Sequence, residues 1–263
     1  MRILTPMMLT RHDIIDALAR ELPAHDVLRG AWLGGSDATG RADELSDVDL
    51  FLVIAPGQVE PAAGAVDSII RAIAPVRLRY RLPWPTWHGY HQAFYQLDGA
   101  PEHLMVDWLM IEAGQSHPWL EVERHGTPRV LFDKDGHIRI THVDRASLDA
   151  AIEKKVSDLR EKFRLLRHLP PKLIERDLPG DAMHFYFSLI VRPLVDLLRC
   201  LHCPERHDFG FRYIRSDLPR ESWELIERLC YVGDPSELPG RVELGVRMFE
   251  EALGRWDARA RRG

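Results

Sequence analysis

The stretch "VDLFLVIA" at residues 48–55 is a near-continuous apolar run of strand length. A strand with one wet face alternates apolar and polar side chains, so a run without alternation belongs in a sheet interior, covered on both faces. A second run, "HLMVDWLMI" at 103–111, has the same character and is broken by a single charge, Asp107. Two fully covered strands are the strongest demand this chain makes on its fold, and the remaining segments have to provide the cover.

Up to about residue 140 those segments mix helix and strand. Thr10 and Asp13 form a capping-box pattern ahead of "IIDALARELP", which predicts a helix over about 11–22 closed by Pro23. "VLRGAWLGG" reads as a short strand running into a tight turn, after which Ser36 and Asp37 are N-cap candidates for a brief helix. A helix is expected near "GAVDSIIRAIA", bounded by Pro61 and Pro75. "VRLRYRL" and "HQAFYQL" are strand patterns, a turn follows at "DGAP", and "RVLFDKDGHI" holds a last short strand with a turn at Asp135-Gly136.

From about 144 the periodicity is helical throughout. It runs through "RASLDAAIEKKVSDLREKFRLLRHL", "DAMHFYFSLIVRPLVDLLRCLH" with a kink at Pro193, "RESWELIERLCYV" and "ELPGRVELGVRMFEEALGRWDAR". The expected fold class is α+β: a mixed sheet flanked by helices over 1–142, followed by an all-α helical bundle over 143–263. The closing "RARRG" is expected to fray.

Composition narrows the function classes. The formal net charge of the 263-residue chain is −5, whereas a general nucleic-acid binder is basic over at least one domain, so nucleic acid is not an expected partner. No apolar run approaches the ~20 residues that a membrane crossing needs. "MRILTPMMLTRHD" lacks the apolar core and small-residue cleavage site of a secretory signal. Three cysteines make no disulfide framework. A cytoplasmic protein with no membrane partner is the expectation, with the oligomeric state left open.

Asp47 and Asp49 stand one residue apart at the head of the first apolar run, and strand alternation projects them to the same side. Two carboxylates that close repel one another unless a cation lies between them. Such hard oxygen donors suit Mg²⁺, which takes one or two carboxylates together with substrate phosphate oxygens. Asp107 adds a third carboxylate inside an apolar strand, where an unpartnered charge is expensive. If the two runs are neighbours, all three acids converge at one sheet edge, an arrangement able to hold two metal ions for an in-line phosphoryl displacement. Just upstream, Gly34 and Gly35 let the backbone approach a ligand, and Ser36 offers a hydroxyl and N–H groups at a helix start, which suits a phosphate. The plainer readings are a turn pair for Asp47 and Asp49, and an ion pair of Asp107 with Arg77 or Arg79.

Gly35-Ser36, ten intervening residues, Asp47-Val48-Asp49 and then Asp107 in "LMVDWLM" follow one another in an order that resembles the nucleotidyltransferase superfamily typified by DNA polymerase β. Flanking apolar residues match too, in "AWLGGS" and "SDVDLFLV". The resemblance covers about residues 25–112. More loosely, an α/β domain followed by a helical one is similar to the small bacterial enzymes that adenylylate aminoglycosides and lincosamides.

The resemblance implies Mg²⁺-dependent transfer of a nucleoside monophosphate, AMP first among them, from ATP or another triphosphate to a hydroxyl of a small molecule. The acceptor would be aminoglycoside-like, and pyrophosphate would leave. Asp47 and Asp49 would chelate the Mg²⁺ carrying the triphosphate, and Asp107 would hold a second metal or help deprotonate the acceptor. Gly34, Gly35 and Ser36 would bind the terminal phosphates, and the helical half would bind the acceptor. A protein or RNA acceptor stays open, as does a non-catalytic nucleotide-binding module on the same fold.

Lesser features carry weaker expectations. "CLHCPERH" places Cys200, Cys203 and His207 at spacings that zinc sites also use, without a matching second pair. Lys154 or Lys155 could reach a triphosphate, and Arg77, Arg79 and Arg81 share a strand face. Trp84, Trp87 and Tyr90 are expected to cover the sheet, and Glu112 is a candidate acceptor-side base.

Overall fold

The computed structural model of the chain describes residues 8–261. The first part of the amino-terminal stretch and the end of the tail expected to fray lie outside the described residues. The chain forms two compact units, passing from one to the other between Val143 and Asp144.

In the first unit, α1 (Arg11–Glu21) starts at the expected capping box. Thr10 Oγ1 accepts the Asp13 N–H, and the Asp13 carboxylate accepts the Thr10 N–H. Then come β1 (Leu28–Leu33), α2 (Gly35–Thr39), β2 (Val48–Ile54), α3 (Val59–Ile73) and β3 (Val76–Arg81). The unit continues with β4 (His91–Leu97), β5 (Val106–Glu112), α4 (Val122–His125) and β6 (Arg129–Asp133).

Two helix starts differ from expectation. α2 has Gly34 at its N-cap and no side-chain cap, so Ser36 and Asp37 lie inside its first turn. The turn begins early because Gly34 N–H is drawn to the Asp49 carbonyl and Gly35 takes a left-handed φ of 51°. α3 begins before Pro61, which sits in the first turn, where an N–H has no intrahelical acceptor to lose.

The strands form one mixed sheet of order β3-β4-β5-β2-β1-β6. β2 and β5 run parallel at its centre, and the other pairs are antiparallel. One face is covered by α1 and α3, whose Ile14, Leu18, Val66 and Ile70 pack with Leu50, Leu52, Val106 and Trp108. On the other face Val53, Leu109 and Ile111 pack with Trp32, Tyr90 and Leu120. The two apolar runs are therefore covered on both sides, as their lack of alternation demanded.

The second unit is helical: α5 (Arg145–Leu166), α6 (Leu169–Glu175), α7 (Pro179–Tyr186), α8 (Arg192–His202), α9 (Ile214–Asp217), α10 (Arg220–Cys230) and α11 (Leu238–Ala260). Phe163 and Phe249 stack in its core with ring centroids 3.7 Å apart. α7 runs into α8 through a π-helical turn, Phe187–Val191, which ends where the Arg192 N–H reaches the Phe187 carbonyl. Pro193 follows in the first turn of α8. The wide turn carries the chain past a residue that has no N–H to give, where a simple proline kink was expected. No helix among the described residues is long and apolar enough to cross a membrane.

Candidate active site

Asp49 and Asp107 are direct partners in the register of β2 and β5. Neighbouring strands lie about 4.8 Å apart, so the two carboxylates start from adjacent backbones and project to the same side. That side is the face away from α1 and α3, since Asp49 alternates with Leu50 and Asp107 with Trp108. The acids sit at the N-terminal ends of the two central strands rather than at an edge strand of the sheet. Asp47 lies one residue before β2, and its Oδ1 accepts the Met105 N–H at 2.9 Å.

The glycine turn folds over this pair. Gly34 N–H donates to the Asp49 carbonyl at 3.0 Å. A Cβ on Gly35 would lie 1.8 Å from Asp49 Oδ2, so glycine is required there both for its positive φ and for space. The Ser36 backbone N–H lowers the proton affinity of the Asp49 carboxylate. Ser36 Oγ is buried and has no hydrogen-bond partner among the described residues. From α1, Arg11 Nε donates to the Asp47 carbonyl at 3.1 Å, and its guanidinium pairs with the Asp37 carboxylate. Asp37, whose side chain is 5% exposed, also faces Arg129 at 3.6 Å. These contacts tie α1, the turn and the head of β2 together.

Both central acids hold their protons above the usual carboxylate range. Burial, followed by the charges of Asp47 and Asp37, pushes Asp49 up to about 6, against the pull of Arg11 and the Ser36 N–H. Burial pushes Asp107 up to about 7; the Gln92 amide opposes this, while the charges of Asp49 and Asp47 add to it. Such groups call for either a proton or a cation.

A pH dependence follows. The folded pKa of Asp107 is raised above its ordinary 3.8, so its contribution to stability is fully present below pH 3.8 and is lost as pH rises through about 7. Asp107→Asn removes that loss. In metal-free buffer the variant is expected to be more stable than wild type by about 1–3 kcal/mol at pH 8, with the difference shrinking towards pH 4. Denaturant titrations at the two pH values check this.

The fit to Mg²⁺ rests on three observations: carboxylate donors only, a glycine cradle that a Cβ would fill, and an unpartnered buried hydroxyl. Asp49 and Asp107 fit such a cation as a pair. Asp47 is engaged with Met105, and among the described residues no three His, Cys, Asp or Glu groups are gathered so as to hold a metal. Cys200, Cys203 and His207 form no such gathering among the described residues either. Cys200 is buried as a small apolar side chain, and Cys203 Sγ accepts from Arg199 Nη1.

Other expectations are corrected by placement. Among the described residues Asp107 pairs with no arginine; Gln92 Nε2 donates to both its oxygens, at 2.8 and 2.9 Å. Arg79 faces Asp67 at 3.7 Å, and Arg81 makes a two-pronged bond to Glu60. Lys154 pairs with Asp158, and Lys155 with Asp196 and the His207 carbonyl, so both are engaged within the helical unit. Tyr90 is buried, but Trp87 is 91% exposed and meets only the edge of the His88 ring at 4.9 Å among its ring contacts, and Trp84 stacks on His91 at 4.1 Å. Glu112 ends β5 about 16 Å along the strand from Asp107 and on the opposite face, so it is no acceptor-side base for these acids.

Arg11 and Gln92 were not found from the sequence, and Asp37 was read only as an N-cap candidate. The alternation of "HQAFYQL" assigns Gln92 to a face but cannot say that Asp107 shares it, because that depends on the pairing of β4 with β5.

No family model matches the chain, and no curated protein sequence does. Among solved structures it is similar to an aminoglycoside 6-adenyltransferase from Bacillus subtilis, at 11% identity and a TM-score of 0.39, over 92% of this chain and 87% of that one. It is also similar to a nucleotidyltransferase-like protein from Exiguobacterium sibiricum 255-15, at 14% identity and a TM-score of 0.41, over 92% of this chain and 75% of that one. At these scores the likeness carries no functional weight, which the residues of the site have to supply.

Proposed function

We propose that the chain is a Mg²⁺-dependent nucleotidyltransferase that moves a nucleoside monophosphate, AMP in the first instance, from a triphosphate to a hydroxyl of a small molecule. The observation that carries this reading is the pairing of Asp49 with Asp107 on adjacent central strands, beneath a glycine turn whose Ser36 hydroxyl is buried without a partner.

Each part has a chemical task. The Gly34–Ser36 turn and the Ser36 hydroxyl would bind the terminal phosphates, where a helix start meets negative charge. Asp49 and Asp107 would hold the cation. The Mg²⁺, when bound, neutralises phosphate charge. The acceptor oxygen forms a bond to the α-phosphorus, the bond to the β-phosphate oxygen breaks, and pyrophosphate leaves. A cationic, aminoglycoside-like acceptor suits a site rich in carboxylates.

The test is to incubate the protein with α-labelled triphosphates, Mg²⁺ and a panel of aminoglycosides and lincosamides. The reading predicts pyrophosphate release and an acceptor heavier by one nucleoside monophosphate. Binding of a triphosphate with no transfer to any small molecule, protein or RNA would favour the non-catalytic module.

A further inference from the structure

We propose that Gln92 and His88 are positioning residues for Asp107, holding its carboxylate through a hydrogen-bond chain whose direction is set by the backbone; this rests on the metal-site reading above. The chain begins in the loop between β3 and β4. The Tyr90 backbone N–H donates to His88 Nδ1 at 3.2 Å. A backbone N–H can only donate, so Nδ1 is an acceptor and the neutral ring carries its proton on Nε2. Thr86 Oγ1 stands 3.4 Å from Nδ1, but its hydrogen is directed to the Tyr90 carbonyl at 2.7 Å.

The direction then propagates. His88 Nε2–H meets Gln92 Oε1 at 2.9 Å. With its carbonyl turned to His88, the Gln92 amide presents its NH₂ to Asp107 and reaches both oxygens. Turning the amide over would set N–H against N–H at His88 and carbonyl against carboxylate at Asp107, so only one arrangement satisfies every group.

The sheet order gives this chain its use. β5 lies between β4 and β2, so Gln92 approaches Asp107 from one flank while Asp49 stands on the other. Like charge on Asp49 pushes the Asp107 carboxylate away, and the amide fixes it in place. Of about four lone-pair positions on a carboxylate, Gln92 takes two and leaves the rest for a ligand. Outer partners of this kind orient metal ligands, and their loss weakens metal affinity by about 10–100-fold.

The experiment uses the full chain without nucleotide, with Mn²⁺ alone as the probe. Loss of the free-ion paramagnetic resonance signal reads binding, and circular dichroism confirms folding. Gln92→Met keeps the length of the side chain and removes the amide; it is expected to weaken Mn²⁺ binding about 10–100-fold. His88→Ala is expected to weaken it less. Gln96→Met, on β4 like Gln92 but with its amide donating to the Glu102 carbonyl in the loop that follows, is the control and leaves it unchanged.

Imidazole ¹⁵N shifts of the metal-free protein give a second readout, and His88 is expected as the Nε2–H tautomer. An Nδ1–H tautomer, or Gln92→Met binding Mn²⁺ as wild type does, overturns the proposal. Wild-type protein that binds no Mn²⁺ overturns the metal-site reading itself, and the positioning role falls with it.

Discussion

Asp49→Asn is expected to abolish Mg²⁺-dependent triphosphate binding, weakening it by more than about 100-fold, or more than about 2.7 kcal/mol, while leaving the fold at least as stable as wild type. The two halves of this result have one cause. Asp49 is the acid on which the site converges: it partners Asp107 across the central strands, and its carbonyl accepts the Gly34 N–H. Its charge is also the least welcome in the metal-free protein, because it is buried among Asp47, Asp37 and Asp107. Neutralising it removes repulsion and keeps the side chain's volume. Equilibrium dialysis of labelled ATP with Mg²⁺, beside thermal melts in chelator, checks both halves. A variant that lost binding by unfolding would show it in the melts.

Gly35→Ala should be about as damaging to binding, and it should destabilise the protein as well, by about 1–3 kcal/mol. A left-handed φ costs a residue with a Cβ about 1–2 kcal/mol. The added methyl would also fall 1.8 Å from Asp49 Oδ2, so either the turn or the carboxylate has to move. Gly40→Ala separates the two effects. Gly40 also has a positive φ, 68°, but nothing lies within 4 Å of its added Cβ. It should show the backbone cost alone, with binding unchanged. If Gly35→Ala bound triphosphate as well as Gly40→Ala does, the glycine turn would have no part in the site.

What could be read in the sequence follows from the range of the forces involved. The two apolar runs announce covered strands because burial on both faces leaves a one-dimensional mark. The capping box of Thr10 and Asp13 is equally local, since its bonds span three residues. The pairing of Asp49 with Asp107 was conditional on the two runs being neighbours, which only the sheet order settles. The partner of Asp107 was sought among arginines because a buried charge invites one, yet an amide from the next strand serves, and glutamine has no distinctive sequence signal. The widened helix before Pro193 was equally hidden, because a proline says only that an N–H is missing. Which residue supplies the slack is decided by packing.

The most direct measurement is calorimetric titration of ATP, GTP, CTP and UTP into the wild-type protein, each with and without Mg²⁺. A site built from Asp49, Asp107 and the Ser36 turn predicts binding of at least one triphosphate that strengthens tenfold or more, about 1.4 kcal/mol, when Mg²⁺ is present. Failure of all four to bind in the presence of Mg²⁺, by a protein shown to be folded, would contradict the account and leave the carboxylate pair without the ligand proposed for it.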